Sequence, residues 1–243
     1  MIDASFIIPV KGRLEHLQQT LPEKLNQRGG WNYEIIIVDC NCPNGTANWC
    51  RSLENEMLRV VEIPAPNDYF NLSHSRNVGG HYACSEVLCF SDADCFLSVH
   101  WLDYVLKEIN SKDECIGLGN EFVKGIGQLG TGTWAVRKEV WKSLRGYDET
   151  MEGWGGEDLD FLWRMKRFGQ VASFPRKMAW TINHGNENRT EFYREKDMQK
   201  SNMRNLEKAN RKRILNPVFG QLDRNVSMLT GSKKRKEVNL QFF

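Results

Sequence analysis

Two apolar runs separated by one helical repeat constrain this chain more than any other feature. Ser5-Phe6-Ile7-Ile8-Pro9-Val10 and Glu34-Ile35-Ile36-Ile37-Val38-Asp39 are continuous rather than alternating, the pattern of strands buried on both faces of a parallel sheet. Between them Leu14, Leu17, Leu21 and Leu25 recur at helical spacing and stop before Gly29-Gly30. Strand, helix and parallel strand make a βαβ crossover. Residues 59–63 predict a third strand, 74–84 a helix and 87–90 a fourth strand. The unit therefore repeats, and an α/β fold with an open, mostly parallel Rossmann-like sheet flanked by helices follows. Beyond residue 110 the pattern loosens into Gly-rich stretches, a strand at 133–136 and a helix from Glu157 to Phe168 stopped by Gly169. After Thr190 the chain is polar and charged and predicts a helix to about Arg213.

A chain of 243 residues can bury one sizeable core, so one globular unit over 1–190 and a helical, basic extension over 191–243 are expected. Seven cysteines without a CxxC pair indicate neither a disulfide framework nor a zinc ribbon and fit reduced thiols in a cytoplasm. No apolar run reaches the roughly 18 residues that span a bilayer. The first residues lack the basic region and long apolar stretch of an export signal, so none is expected. Residues 204–243 carry ten Lys or Arg against three acids, net +7, leaving 23 basic and 28 acidic residues before them, net −5. Such a tail fits an anionic partner, either a membrane leaflet or a phosphate-bearing acceptor, and equally a solvated helix with a frayed end. Nucleic acid is not an expected partner.

In open parallel sheets ligands sit at the carboxyl ends of the strands. Asp39, Asp92 and Asp94 fall there, and Lys11 and Arg13 follow the first strand at the same edge, as phosphate partners or as ordinary surface charge. In extended backbone the side chains at i and i+2 share a face, so Asp92 and Asp94 converge. Two buried carboxylates are costly together without a cation, whereas Mg²⁺ or Mn²⁺ accepts their oxygens and also grips substrate phosphates. In Gly153-Trp154-Gly155-Gly156-Glu157-Asp158 the two acids open a helix, where the dipole favours each by about 0.3–1 kcal/mol. That does not explain a Trp flanked by glycines, which predicts a backbone kept bare for a ligand and an indole face on which a sugar can lie. One of the two acids could take a proton from an attacking hydroxyl. His184 ends a candidate strand, and a lone His is either structural or a metal ligand.

The segments 7–13, Asn77-Val78-Gly79, Phe90 to Asp94, Gly146-Tyr147-Asp148-Glu149 and Gly153 to Asp160 occur in that order. Together they resemble glycosyltransferase family 2 enzymes of GT-A fold over residues 4 to 190. The C-terminal half is similar to that of the β-1,4-galactosyltransferases and of bacterial chondroitin-type polymerases. The resemblance implies an inverting, metal-dependent transfer of a hexose or N-acetylhexosamine, Gal or GalNAc favoured, from a UDP-sugar to a hydroxyl of a saccharide or lipid-linked saccharide. The implied setting is bacterial surface polysaccharide synthesis, in the cytoplasm or peripheral at the inner face of the plasma membrane.

Carried over by the same resemblance, Asp39 and Arg76 meet the uridine, and Asp92 and Asp94 meet the ribose, diphosphate and metal. His184 is a further ligand to Mn²⁺ or Mg²⁺. Trp154 floors the sugar site with Gly155 and Gly156 beside it, Glu157 binds sugar hydroxyls and Asp158 is the catalytic base. Pro9, Lys11, Arg13, Asn77 and Ala93 complete the substrate-binding set. The chain departs from the galactosyltransferases at Glu152-Gly153, where they carry a longer aromatic stretch, and from many family-2 enzymes at Asp39-Cys40, where they carry two acids. A sugar nucleotidyltransferase is the alternative, but it needs a longer Gly-rich loop after the first strand than Pro9-Val10-Lys11-Gly12-Arg13. A non-catalytic sugar-binding protein of the same fold should have lost one of Asp92, Asp94, Glu157, Asp158 or His184.

Overall fold

The structure, a computed structural model, describes residues 1–64, 68–111, 115–120, 132–183 and 185–215. The four expected strands are β1 (Ala4–Val10), β2 (Tyr33–Asp39), β3 (Leu58–Glu62) and β4 (Val87–Phe90), parallel in the order β3-β2-β1-β4. Helices α1 (Leu14–Leu25), α2 (Thr46–Ser52) and α3 (Leu72–Tyr82) lie in the crossovers. After β4 come β5 (Cys95–Leu97), α4 (Trp101–Ser111), β6 (Cys115–Asn120), β7 (Trp134–Arg137), α5 (Lys138–Ser143) and α6 (Glu157–Met165). The chain continues through β8 (Gln170–Phe174), β9 (Ala179–Thr181), α7 (Asn186–Thr190) and α8 (Met198–Leu215).

Among the described residues seven strands form one sheet, β3-β2-β1-β4-β7-β6-β8, in which only β7 runs antiparallel to its neighbours. β5 and β9 form a separate antiparallel ribbon. The mostly parallel α/β sheet is thus the expected one; the direction of β7 is set by its partners and is not written in its own four residues.

Both faces of the sheet are covered, which is why the strand runs are continuous. Phe6, Ile8 and Val10 join Leu17 and Leu21 of α1 and Trp101, Leu102 and Val105 of α4 in one cluster. Ile7, Ile36 and Val38 join Val78 of α3, Trp141 of α5 and Phe161 of α6 in the other. Helix α3 begins two residues earlier than its periodicity suggests because Asn71 caps it, accepting from His74 N at 2.9 Å. It lies close on the sheet: a Cβ on Gly79 would stand 2.3 Å from Ile7 Cγ2. Asn77 then fixes its rotation, donating to Tyr147 O at 2.9 Å and Glu149 Oε1 at 2.7 Å and accepting from Tyr147 N at 2.7 Å.

Helix α8 packs against α6, with Ser201, Asn205 and Ala209 fully buried. The first part of the expected extension is therefore laid on the body, and residues 216–243 lie outside the described residues. No helix among the described residues is long and apolar enough to cross a membrane.

Candidate active site

The carboxyl ends of β1 and β4 open on a pocket of about 440 Å³. Pro9, Lys11 and Arg13 line it from one side, Asp92, Ala93 and Asp94 from another, and Trp154, Gly155, Gly156, Glu157 and Asp158 form a third wall. Lys11 Nζ donates to Cys40 O at 3.0 Å and Asn41 O at 3.3 Å, so its charge ties the loops after β1 and β2 together. The ring of Phe192 covers this corner, 5.7 Å from Lys11 Nζ, and Arg13 donates to Asn188 O.

The acids after β4 were expected on extended backbone; they sit instead on a turn, closed by Cys95 N donating to Asp92 O at 3.1 Å. The turn places the two carboxylates within each other's field all the same. Burial pushes Asp92 up to about 6, with Arg76 opposing and Asp94 adding to the rise. From beneath, Thr20 Oγ1 of α1 donates to Ala93 O at 2.7 Å and Lys24 Nζ donates to Cys95 O. Burial lowers Lys24 to about 8, against the counteracting pull of Cys95 and of the acids of the turn.

The glycines before Glu157 also make room for a neighbouring helix. Gly153, Gly155 and Gly156 have φ of +81°, +88° and +88°, the left-handed region that favours glycine. A Cβ on Gly155 would stand 2.7 Å from Asn202 Oδ1, and one on Gly156 2.7 Å from Asn205 Cβ. The bare backbone thus lets α8 approach closely, while Trp154, Gly155 and Gly156 also line the pocket. Ser201 Oγ donates to Trp154 O at 2.7 Å and accepts from Trp154 N at 3.2 Å, while Asn205 Nδ2 donates to Gly155 O at 2.7 Å. Gly156 is the N-cap of α6, so Glu157 and Asp158 fall on its first turn.

Arg76 stands between the two acidic motifs. Its guanidinium is 0% exposed, donates from Nη2 to Asp92 Oδ1 at 2.9 Å and from Nη1 to Asp158 Oδ1 at 2.7 Å, and lies 3.6 Å from Glu157 Oε1. Its carbon Cζ is 5.0 Å from the centre of the Tyr147 ring. Burial alone would lower its pKa, but Asp158, Asp92 and Glu157 raise it well above the usual value. Asp158 also accepts from Trp134 Nε1 at 3.2 Å and keeps 19% of its side chain accessible. Burial raises its pKa well above the carboxylate range; Arg76 opposes, and the neighbouring Glu157 and Asp92 carboxylates add to the rise.

Two residues read as substrate contacts are engaged elsewhere. Asp39, 3% exposed, accepts from Cys42 N at 2.7 Å and Ala47 N at 2.8 Å, closing the turn between β2 and α2. Asn77 is spent on the 147–149 loop, and neither it, Asp39 nor Arg76 lines the pocket. His184 lies outside the described residues. Sequence reasoning passed over Thr20, Lys24, Trp134, Ser201 and Asn205. Thr20 with Lys24, and Ser201 with Asn205, are i,i+4 polar pairs buried on helices, and a polar pair inside an apolar repeat was the available signal on α1.

Among the described residues no three His, Cys, Asp or Glu side chains are grouped to hold a metal. Asp92 and Asp94 still offer paired, partly repelling carboxylates at a pocket wall, the hard oxygen donors that Mg²⁺ or Mn²⁺ accepts.

The family described as glycosyl transferase family 2 matches residues 5–200. Among solved structures, S. aureus TarS 1–349 in complex with UDP superposes with a TM-score of 0.65 and 16% identity, over 94% of this chain and 70% of that one. The mannosyltransferase PcManGT from Pyrobaculum calidifontis, in complex with GDP-Man and Mn²⁺, gives 0.54 and 15%, over 71% and 54%. At these identities the likeness is one of fold. No curated protein matches the chain.

Proposed function

Because the chain belongs to glycosyl transferase family 2, matched over residues 5–200, we propose that it is an inverting transferase moving a hexose or N-acetylhexosamine from UDP to a saccharide hydroxyl. The observation that carries this reading is the single buried guanidinium of Arg76 bonded at once to Asp92 and Asp158, which joins two acidic motifs that line one pocket.

Asp158 is the base. Arg76 and Trp134 both engage its Oδ1, which fixes the carboxylate plane and leaves Oδ2 to take the proton of the attacking hydroxyl. The acceptor oxygen bonds to C1 of an α-linked UDP-sugar as the bond from C1 to the diphosphate oxygen breaks. UDP departs with that electron pair, and C1 is inverted in one displacement with no covalent intermediate. Glu157 and Trp154 sit where sugar hydroxyls and a ring face would meet them. Arg76 is assigned to orienting the base and the donor acid, and Asp39 and Asn77 to holding their loops.

Asp92 and Asp94 are the residues that would hold Mn²⁺ or Mg²⁺, a charge that stabilises a departing diphosphate. A UDP complex of TarS and a GDP-Man and Mn²⁺ complex of PcManGT are consistent with a nucleotide-sugar donor and a divalent cation. The WGGED resemblance favours Gal or GalNAc, and the net +7 over residues 204–243 suits a phosphate-bearing or membrane-borne acceptor. UDP release from a panel of UDP-sugars with Mn²⁺ tests the proposal: turnover of at least one is expected, and none, with no UDP binding, would overturn it.

A further inference from the structure

We infer that α8 is the positioning element of the proposed base: Ser201 and Asn205 set the place of Asp158 by holding the carbonyls of the glycine loop before it. This inference rests on the reading of Asp158 as the base.

Ser201 and Asn205 are one helical turn apart and 0% exposed. A buried polar group left unbonded costs about 1–3 kcal/mol, and both spend their donors on the loop. Arg204 Nη2 and Asn205 Nδ2 donate to Glu152 O at 2.6 Å and 3.1 Å, Asn205 Nδ2 also reaches Gly155 O, and Lys208 Nζ donates to Thr150 O at 2.5 Å. With Ser201 on Trp154 O, a row of α8 donors therefore meets the carbonyls of residues 150–155. Three glycines at positive φ give that loop backbone freedom, and this row of bonds restrains it. Gly156 is both the N-cap of α6 and the residue that Asn205 touches, so a shift of α8 turns the first turn of α6 with its two acids. The Asp92–Asp94 turn is held separately, from α1.

The test uses the full chain and the variants N205D, which keeps size but puts an acceptor against two carbonyls, and S201A. Hydrolysis of UDP-Gal and UDP-GalNAc with Mn²⁺ is measured beside UDP affinity by calorimetry and amide exchange of residues 153–158 and 91–95. UDP release should slow about tenfold in N205D and about fivefold in S201A, with UDP affinity within about twofold of wild type. Exchange should quicken over 153–158 and stay unchanged over 91–95. Unchanged release and exchange in the variants, or UDP affinity falling in step with turnover, overturns the inference. If N205D does not fold, S201A decides. If the wild type neither binds UDP nor turns over a UDP-sugar, the proposed function fails, and the exchange arm still decides whether α8 holds the loop.

Discussion

The Asp92–Asp94 turn, proposed as the donor side, and the Gly153–Asp158 loop, proposed as the acceptor side, present acids to the same pocket but are held by opposite means. Asp92 and Asp94 follow β4 in a sheet whose register is set by buried strands, and their support, Thr20 and Lys24, belongs to the first helix of the βαβ unit. Glu157 and Asp158 follow a loop of glycines whose support, Ser201 and Asn205, arrives more than 40 residues later in the chain. The first arrangement comes from the fold itself. The second comes from a tertiary contact laid over the fold, and Arg76 is where the two meet.

That division yields graded expectations. Asp158→Asn keeps the shape of the acceptor side and removes only its base, so turnover should fall by about 10²–10⁴ with UDP affinity within about twofold; more than a few per cent residual activity assigns the base elsewhere. Arg76→Ala leaves three acids about one buried position without their cation and should lower stability by about 3–5 kcal/mol, read as a drop in denaturant midpoint. Arg76→Lys should recover only part, since an ammonium cannot bond two carboxylates as the guanidinium fork does.

The acid limb of the pH profile sharpens the acceptor side. Burial raises the pKa of Asp158, so the proton is retained to higher pH than on an ordinary Asp. Because the base must be unprotonated, kcat/KM should climb about tenfold per pH unit on a limb lying above the usual carboxylate range near 4. A limb at the ordinary value would contradict the assignment. The smallest effect belongs to the donor side. Thr20→Val strips one bond from Ala93 O and should raise the half-saturating Mn²⁺ concentration by about three- to tenfold at nearly unchanged saturated turnover, with Thr20→Ser restoring it.

What was legible follows the same line. Strand burial is a local pattern, so β1, β2 and β4 could be read directly, and with them the pocket edge that carries Lys11, Arg13, Asp92 and Asp94. The helix start at Glu157 was legible because acids and glycines mark such starts. The partner of the glycines was not, because nothing within residues 153–156 names α8. Arg76 was singled out, but its bonds to both motifs were not legible for a similar reason: on α3 it is one charge among polar neighbours, and only the packing of α3 on β1 turns it toward them. Asp39 and Asn77 lie at a strand end and on a helix, as a ligand contact would, and the backbone and loop bonds they also make are not written in the sequence around them.

The central claim is a single displacement with Asp158 facing a donor held at Asp92 and Asp94. The most direct measurement is the anomer first released when an α-linked UDP-sugar that the protein turns over is hydrolysed, followed by proton NMR before mutarotation. First release of the β-anomer is expected; first release of the α-anomer would contradict a single displacement.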